Sequence, residues 1–256
     1  MTTLLIDLGN TALKWCELGG ESNPQTVVHK NEPHCREALF EAWKNLHPTR
    51  VVGCTVAAPD LAFSATKFFN DHSIEWEWVR SQPFFENESW RLDNGYVNYK
   101  QLGSDRWNAS VGALGVVTGM SLLVVHMGTA TTVDSIVFEG DGKYKFIGGR
   151  ISPGVTLMRS ALGECIPTLT RDIGMYQDFP DNSASAISSG IIDAQVGLVL
   201  RAMEKMRQYG PTQLILAGGA AKYMYPFIKD AVPSALMQHN LVLKGLAQRA
   251  KVLESV

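Results

Sequence analysis

The chain has 256 residues, 45% of them hydrophobic and 19% charged, which is enough apolar material for one large or two modest cores and too much for a disordered polymer. Lys plus Arg number 23 against 25 Asp plus Glu, a net charge of −2; this argues against a nucleic-acid or membrane-surface binder that works by bulk charge. The four cysteines, Cys16, Cys35, Cys54 and Cys165, lie far apart with no Cys-x-x-Cys pair and read as free buried thiols of a reducing compartment.

Met1-Thr2-Thr3 has no basic n-region and Leu4-Leu5-Ile6 is cut short by Asp7, so no signal peptide is expected. The longest apolar-looking stretch, Ala113 to Val125, carries glycines, a threonine and a serine and falls short of the ~20 residues of a membrane span. The expectation is a soluble, cytoplasmic protein. Leu4 to Asp7 reads as a short strand that ends at the turn signal Gly9-Asn10, and Ala12 to Leu18 as its hairpin partner, bounded by Gly19-Gly20. Thr26 to His29 is a third strand, Cys35 to Leu46 a helix, Val51 to Val56 a buried strand and Leu61 to Phe69 a helix. The alternation of Trp76 and Trp78 fits a strand face. Gly103-Ser104-Asp105-Arg106 opens a helix that runs to Leu114.

The second half repeats the scheme. Ser121 to Val125 is a strand, Gly128 a turn, Thr131 to Phe138 a returning strand rich in β-branched residues, and Tyr144 to Gly149 a third. Helices are predicted at Thr156 to Leu162 and Ser183 to Met206. Gln213 to Ala217 is a last strand, broken by Gly218-Gly219 before helices that run to the C-terminus. One echo stands out: Leu5-Ile6-Asp7-Leu8-Gly9-Asn10-Thr11 and Val124-Val125-His126-Met127-Gly128-Thr129-Ala130 share apolar strand, polar residue, spacer, glycine and small polar residue. Such a repeat at about half the chain length suggests a duplicated domain whose two glycine turns face one cleft.

Several segments could carry chemistry, and each also has a plain structural reading. The turn with Asp7, Gly9, Asn10, Thr11 and Lys14 could wrap a phosphate with backbone and side-chain donors, with Asp7 on a hydrated Mg²⁺, or be an ordinary hairpin. It is not a Walker loop, since the chain has no G-x-x-x-x-G-K-[ST]. Gly128-Thr129-Ala130-Thr131-Thr132 could hold phosphate oxygens, or be strand residues. Asp105 could be a general base and Arg106 a carboxylate clamp, or the pair a helix start with a solvated arginine. Gly148 to Gly154 and Gly218-Gly219 could lie beside a ligand or serve turns and close packing. The six histidines show no metal spacing, which argues against zinc.

Taken together, Asp7-x-Gly-Asn-Thr-x-x-Lys14, Gly103-x-Asp-Arg106, Gly128-Thr-Ala-Thr-Thr132, Gly148-Gly-x-Ile-x-Pro-Gly154 and Gly218-Gly219 resemble the type III pantothenate kinase family over essentially the whole chain. The resemblance implies an α/β fold of two duplicated ribonuclease-H-like domains with a nucleotide cleft between them, divided here as residues 1–118 and 119–256. It implies an ATP-dependent kinase that phosphorylates pantothenate in coenzyme A biosynthesis and works as a homodimer without nucleic acid or membrane. Its rivals are a kinase of another small hydroxylated metabolite and a catalytically weak nucleotide-binding regulatory protein.

Residue by residue, the family pattern assigns ATP to Asp7, Leu8, Gly9, Asn10, Thr11, Ala12, Leu13, Lys14 and Thr129, with Mg²⁺ held by Asp7 through water. It assigns pantothenate to Tyr96, Gly103, Ser104, Asp105 and Arg106, with Asp105 as the base. Asn182-Ser183 stands where the family usually has Asn-Thr, so Ser183 reaches substrate from the dimer partner. The family also implies a monovalent cation, K⁺ or NH₄⁺, on an aspartate. Here that position is His126, and a neutral imidazole is a poor ligand for a hard cation, so the expectation is an enzyme that needs no potassium or holds its cation through other oxygens.

Overall fold

The computed structural model describes residues 2–29, 35–56, 59–166, 168–169 and 172–254. In chain order the elements are β1 (Thr3–Leu8), β2 (Ala12–Glu17), β3 (Gln25–Val28), α1 (Cys35–Leu46), β4 (Arg50–Thr55), α2 (Pro59–Asp71), β5 (Glu75–Trp78), β6 (Phe84–Glu86), β7 (Arg91–Asn94) and α3 (Ser104–Leu114). There follow β8 (Ser121–Met127), β9 (Ala130–Gly140), β10 (Lys143–Pro153), α4 (Val155–Cys165), α5 (Ser183–Met206), β11 (Thr212–Ala217), α6 (Ala221–Ala231), β12 (Leu236–Met237) and α7 (Leu241–Glu254). They form two compact units, residues 1–118 with 139–146 and 240–256, and residues 119–138 with 147–239.

In the first unit the strand order is β3-β2-β1-β4-β5. Central β1 pairs antiparallel with β2 and parallel with β4, and being covered on both faces it is apolar almost throughout. Leu4, Ile6 and Leu8 point to one side, into a core with Leu39 and Trp43 of α1 and Leu61, Phe68 and Phe69 of α2. The alternate residues Leu5 and Asp7 point to the other side, where α7 packs on β1, β4 and α3. A short antiparallel pair, β6 and β7, extends this unit, with β7 running parallel to the first residues of β10.

In the second unit the order is β12-β11-β8-β9-β10. Central β8 is antiparallel to β9 and parallel to β11. Numbered within its own unit, each sheet therefore reads 3-2-1-4-5, the duplication that the echo of the two glycine turns suggests. Leu123, Val125, Val133 and Leu216 of the sheet meet Val199, Ala202 and Met206 of α5 and Met224 and Ile228 of α6. Among the described residues one helical stretch, Ser183–Tyr209, is long and apolar enough to cross a membrane. Its buried side chains, Ile191, Val199, Ala202 and Met206 among them, mark it as a helix that packs on its own unit's sheet.

The structure departs from the sequence reading in three places. Beside the expected division into residues 1–118 and 119–256, residues 139–146 and 240–256 pack with the first unit. For 240–256 the reason is close fitting of backbone, since Gly112 of α3 and Gly245 of α7 let the two helices touch where no side chain would fit; for 139–146 it is the pairing of residues 143–146 with β7. Strands β6, β7 and β12 were not expected; they have two to four residues each and exist through pairing rather than through a pattern of their own. The cysteines are free but not all buried, since Cys165 is exposed and Cys35 half-buried.

Candidate active site

The first glycine turn closes the β1–β2 hairpin, whose register sets Leu8 opposite Leu13 and Asp7 opposite Lys14. The Gly9 N–H donates to the Ala12 carbonyl at 3.1 Å, which leaves Asn10 and Thr11 at the tip. Leu8 and Leu13 are wholly buried, so only their backbone is available to a ligand. Lys14 Nζ donates to Asn240 Oδ1 at 3.2 Å, and Asn240 Nδ2 donates to the Glu21 carbonyl at 3.0 Å. His29, at the end of β3, places its Nε2 2.8 Å from the Gly9 carbonyl.

On the α3–α7 face of the sheet lies an acidic pair. Asp7 at the end of β1 is in register with Cys54 of β4, whose Sγ–H donates to Asp7 Oδ1 at 3.9 Å. Burial pushes the Asp7 carboxyl up to about 7; Lys14 pulls against this rise and the negative charge of Asp105 adds to it. Burial, then Asp7, then Asp105 hold the Cys54 thiol well above its ordinary value, so Cys54 remains a donor. Asp105 is the second residue of α3. Its Oδ1 accepts the Arg106 N–H at 2.8 Å, and α3 is moored here by Ser104 Oγ, which donates to the Thr55 carbonyl at 3.2 Å.

Arg106 is 7% exposed. Its Nη1 donates to the Tyr96 hydroxyl at 3.1 Å, and its guanidinium lies 5.9 Å from the ring centres of both Tyr96 and Phe146. A buried cation held by a hydroxyl and two aromatic faces is not the solvated arginine of a plain helix start. The first unit thus brings together Asp7, the turn Gly9 to Lys14, Tyr96 and Gly103 to Arg106. Cys54, His29, Asn240 and Phe146 belong to the same surroundings, and the sequence offered no signal for them beyond membership of predicted strands for Cys54, His29 and Phe146.

Thr129 and Ser183 belong to the second unit. Its turn repeats the hairpin in shorter form, with the Gly128 N–H donating to the Ala130 carbonyl at 3.0 Å and Thr129 exposed. Thr131 is buried and donates to Gln195 Oε1 at 2.5 Å, while Gln195 Nε2 donates to the Pro153 carbonyl at 3.0 Å. Thr132 is buried, and its Oγ1 has no hydrogen-bond partner among the described residues. Gly154 and Gly218 press on this turn: an added Cβ would stand 2.8 Å from the Thr129 carbonyl oxygen at Gly154 and 2.6 Å from the Met127 carbonyl carbon at Gly218. For these two glycines close packing of backbone is the reason for the residue. Ser183 is exposed at the first position of α5, after the N-cap Asn182, whose side chain accepts the Ser185 N–H at 2.9 Å.

Among the described residues no three His, Cys, Asp or Glu side chains converge as a metal-binding group. A Mg²⁺ that keeps most of its waters and takes further oxygens from phosphate needs only one carboxylate, and Asp7, whose charge is held at a disadvantage by burial, fits that need. His126, half-buried and in register with Thr132 and Ala217, supplies nitrogen where a monovalent cation asks for oxygen, and does not fit one.

A family model described as type III pantothenate kinase matches residues 3–205. A type III pantothenate kinase of Aromatoleum aromaticum is 36% identical over 250 residues, 97% of each chain, and one of Herminiimonas arsenicoxydans is 34% identical over 256 residues, 95% of each. Among solved structures, a Campylobacter jejuni Baf family protein described as a transcriptional activator superposes with a TM-score of 0.56 at 16% identity, covering 99% of this chain and 100% of that one. The activator of the 2-hydroxyisocaproyl-CoA dehydratase from Clostridium difficile, with bound ADPNP, gives 0.52 at 8% identity over 100% and 98% of the two chains. These two likenesses concern the fold alone.

Proposed function

This chain belongs to the type III pantothenate kinase family, and from that premise we propose which of its residues carry the reaction. The activity is transfer of the γ-phosphoryl group of ATP to pantothenate, giving 4'-phosphopantothenate for coenzyme A biosynthesis. Neither a regulatory protein without catalysis nor a kinase of another metabolite is favoured beside relatives of this coverage.

In our assignment Asp105 takes the proton of the primary hydroxyl of pantothenate as its oxygen attacks phosphorus in line and the bond to ADP breaks. The observation that carries this is the Asp105 carboxylate at the head of α3, with Oδ1 occupied by the Arg106 N–H; Oδ2 is the oxygen assigned to the hydroxyl. Arg106, desolvated and backed by Tyr96 and Phe146, orients the polar part of pantothenate together with Gly103 and Ser104. Backbone amides of the turn from Gly9 to Lys14 hold phosphate on the first unit, and Thr129 of the second unit is assigned to ATP as well. Asp7 would hold Mg²⁺ through water, and the chemistry supplied there would be neutralisation of phosphate charge.

No role is assigned to a monovalent cation, because His126 is the wrong donor. We further propose a cytoplasmic homodimer in which Ser183 of one protomer serves the substrate of the other. The exposed apolar side chains Ile151, Leu157, Ile166, Ile173, Met175 and Phe179 of the second unit support an interface there.

The test is ATP-dependent phosphorylation of pantothenate by the purified protein with K⁺, NH₄⁺, Na⁺ or no added monovalent cation, beside the Asp105→Asn variant. The expected result is turnover indifferent to the cation, and its loss by at least about 10²-fold in Asp105→Asn while ATP still binds. Near-normal kcat in Asp105→Asn would remove Asp105 from the role of base, and a steep requirement for K⁺ would return a cation to the site.

A further inference from the structure

We propose that His29 is a positioning residue for the first phosphate turn, holding two of its peptide planes so that their N–H groups face the nucleotide; this rests on the reading above that the turn binds ATP. His29 follows β3, and the β2–β3 register, Leu13 with Val27 and Ala12 with Val28, brings it beside Thr11. It then grips the turn twice. Its backbone N–H donates to the Thr11 carbonyl at 3.2 Å, and its Nε2 lies 2.8 Å from the Gly9 carbonyl oxygen. A carbonyl only accepts, so Nε2 carries the proton in this contact.

The consequence follows from the planarity of the trans peptide, in which C=O and N–H point in opposite directions. The Gly9 carbonyl, drawn to the imidazole, turns the Asn10 N–H away from β3. The Thr11 carbonyl, drawn to the His29 N–H, turns the Ala12 N–H away likewise. A two-residue hairpin usually pairs its flanking residues by both of their hydrogen bonds. Here the Gly9 N–H closes the hairpin on Ala12, and the Gly9 carbonyl is shared with the histidine ring. Two amide donors aimed to one side form the kind of concavity that receives a phosphate oxygen. Without the ring, the peptide between Gly9 and Asn10 is free to rotate and the donor is no longer preset.

Three variants separate this role from a merely structural one. His29→Ala keeps the backbone bond to Thr11 and removes the ring. His29→Gln carries an amide N–H about as far out as Nε2, and His29→Asn carries one that stops short. Mg-ADP affinity by calorimetry, KM for ATP and for pantothenate, kcat and thermal midpoint are read for each. We expect His29→Ala and His29→Asn to weaken nucleotide binding and raise KM for ATP about five-fold, the effect of one neutral hydrogen bond. The KM for pantothenate should stay within about two-fold, and His29→Gln should return most of the nucleotide affinity. If His29→Asn binds nucleotide as well as wild type, or His29→Gln as poorly as His29→Asn, the positioning role is wrong while the kinase reading stands. If the wild-type protein neither binds ATP nor phosphorylates pantothenate, the reading beneath falls and takes this proposal with it.

Discussion

Replacing Gly245 by alanine tests how the C-terminal helix supports the site. An added Cβ there would stand 2.7 Å from the Asn108 carbonyl carbon and nearer still to its oxygen, inside the 3.0 Å below which real Cβ atoms are essentially never found. Both neighbours are backbone, so no side chain can swing aside, and α3 and α7 must separate by roughly 1 Å. Overpacking of this kind costs about 1–3 kcal/mol, against up to ~1 kcal/mol gained by replacing a helical glycine with alanine. We expect a net loss of about 1 kcal/mol, which is a fall of roughly 2–4 °C in Tm for a chain of this size. Because Asn108 lies one turn beyond Asp105, and its Nδ2 donates to the Ser104 carbonyl at 2.8 Å, displacement of α3 carries the base with it. A shift of this size lowers kcat by at least about ten-fold. Gly197 on α5 is the control: nothing lies within 4 Å of its added Cβ, so Gly197→Ala should gain up to ~1 kcal/mol and keep full activity. Calorimetric scans and initial rates on the two variants decide the matter. A Gly245→Ala protein as stable and as active as wild type would refute the backbone contact between α3 and α7 as described.

The raised Asp7 value gives a pH-dependent outcome. With a folded value of about 7 against an ordinary 3.8, the folded chain holds a proton that the unfolded chain has lost between those limits. Stability of the nucleotide-free protein therefore falls as pH rises through that window and levels above it. Asp7→Asn removes the penalty, so its Tm advantage over wild type should grow from pH 5 to pH 8 while Mg-ATP no longer stabilises it; a gap that is the same at both pH values would contradict the burial argument. Asn240 stands at a φ of +57° and links Lys14, the Glu21 carbonyl and, through its own carbonyl, the Lys244 N–H. Asn240→Ala should lose about 2 kcal/mol in urea unfolding, and Asn240→Gly, which relieves the backbone but not the hydrogen bonds, should fall between the two.

The features legible in the sequence were those with a local cause. Continuous apolar runs announced β1, β4, β8 and β11, because a strand covered on both faces needs apolar side chains on each. The glycine turns announced the two hairpins, and Gly103-Ser104-Asp105 announced the start of α3. The echo between the halves foretold two sheets of one order, and the joint pattern of five weak motifs carried the family. What escaped was set by pairing at long range. Periodicity marks α7 as a helix but does not name its partner, and only the glycine contact with α3 returns it to the first unit. Strands β6 and β7 are too short to show alternation, and exist because β10 offers them an edge. Arg106 reads as a surface cation until Tyr96 and Phe146 enclose it, and Lys14 meets Asn240 across 226 residues of chain. A hydrogen bond or an aromatic face acts over a few ångströms of space whatever the distance along the chain, so tertiary packing alone could decide these partners.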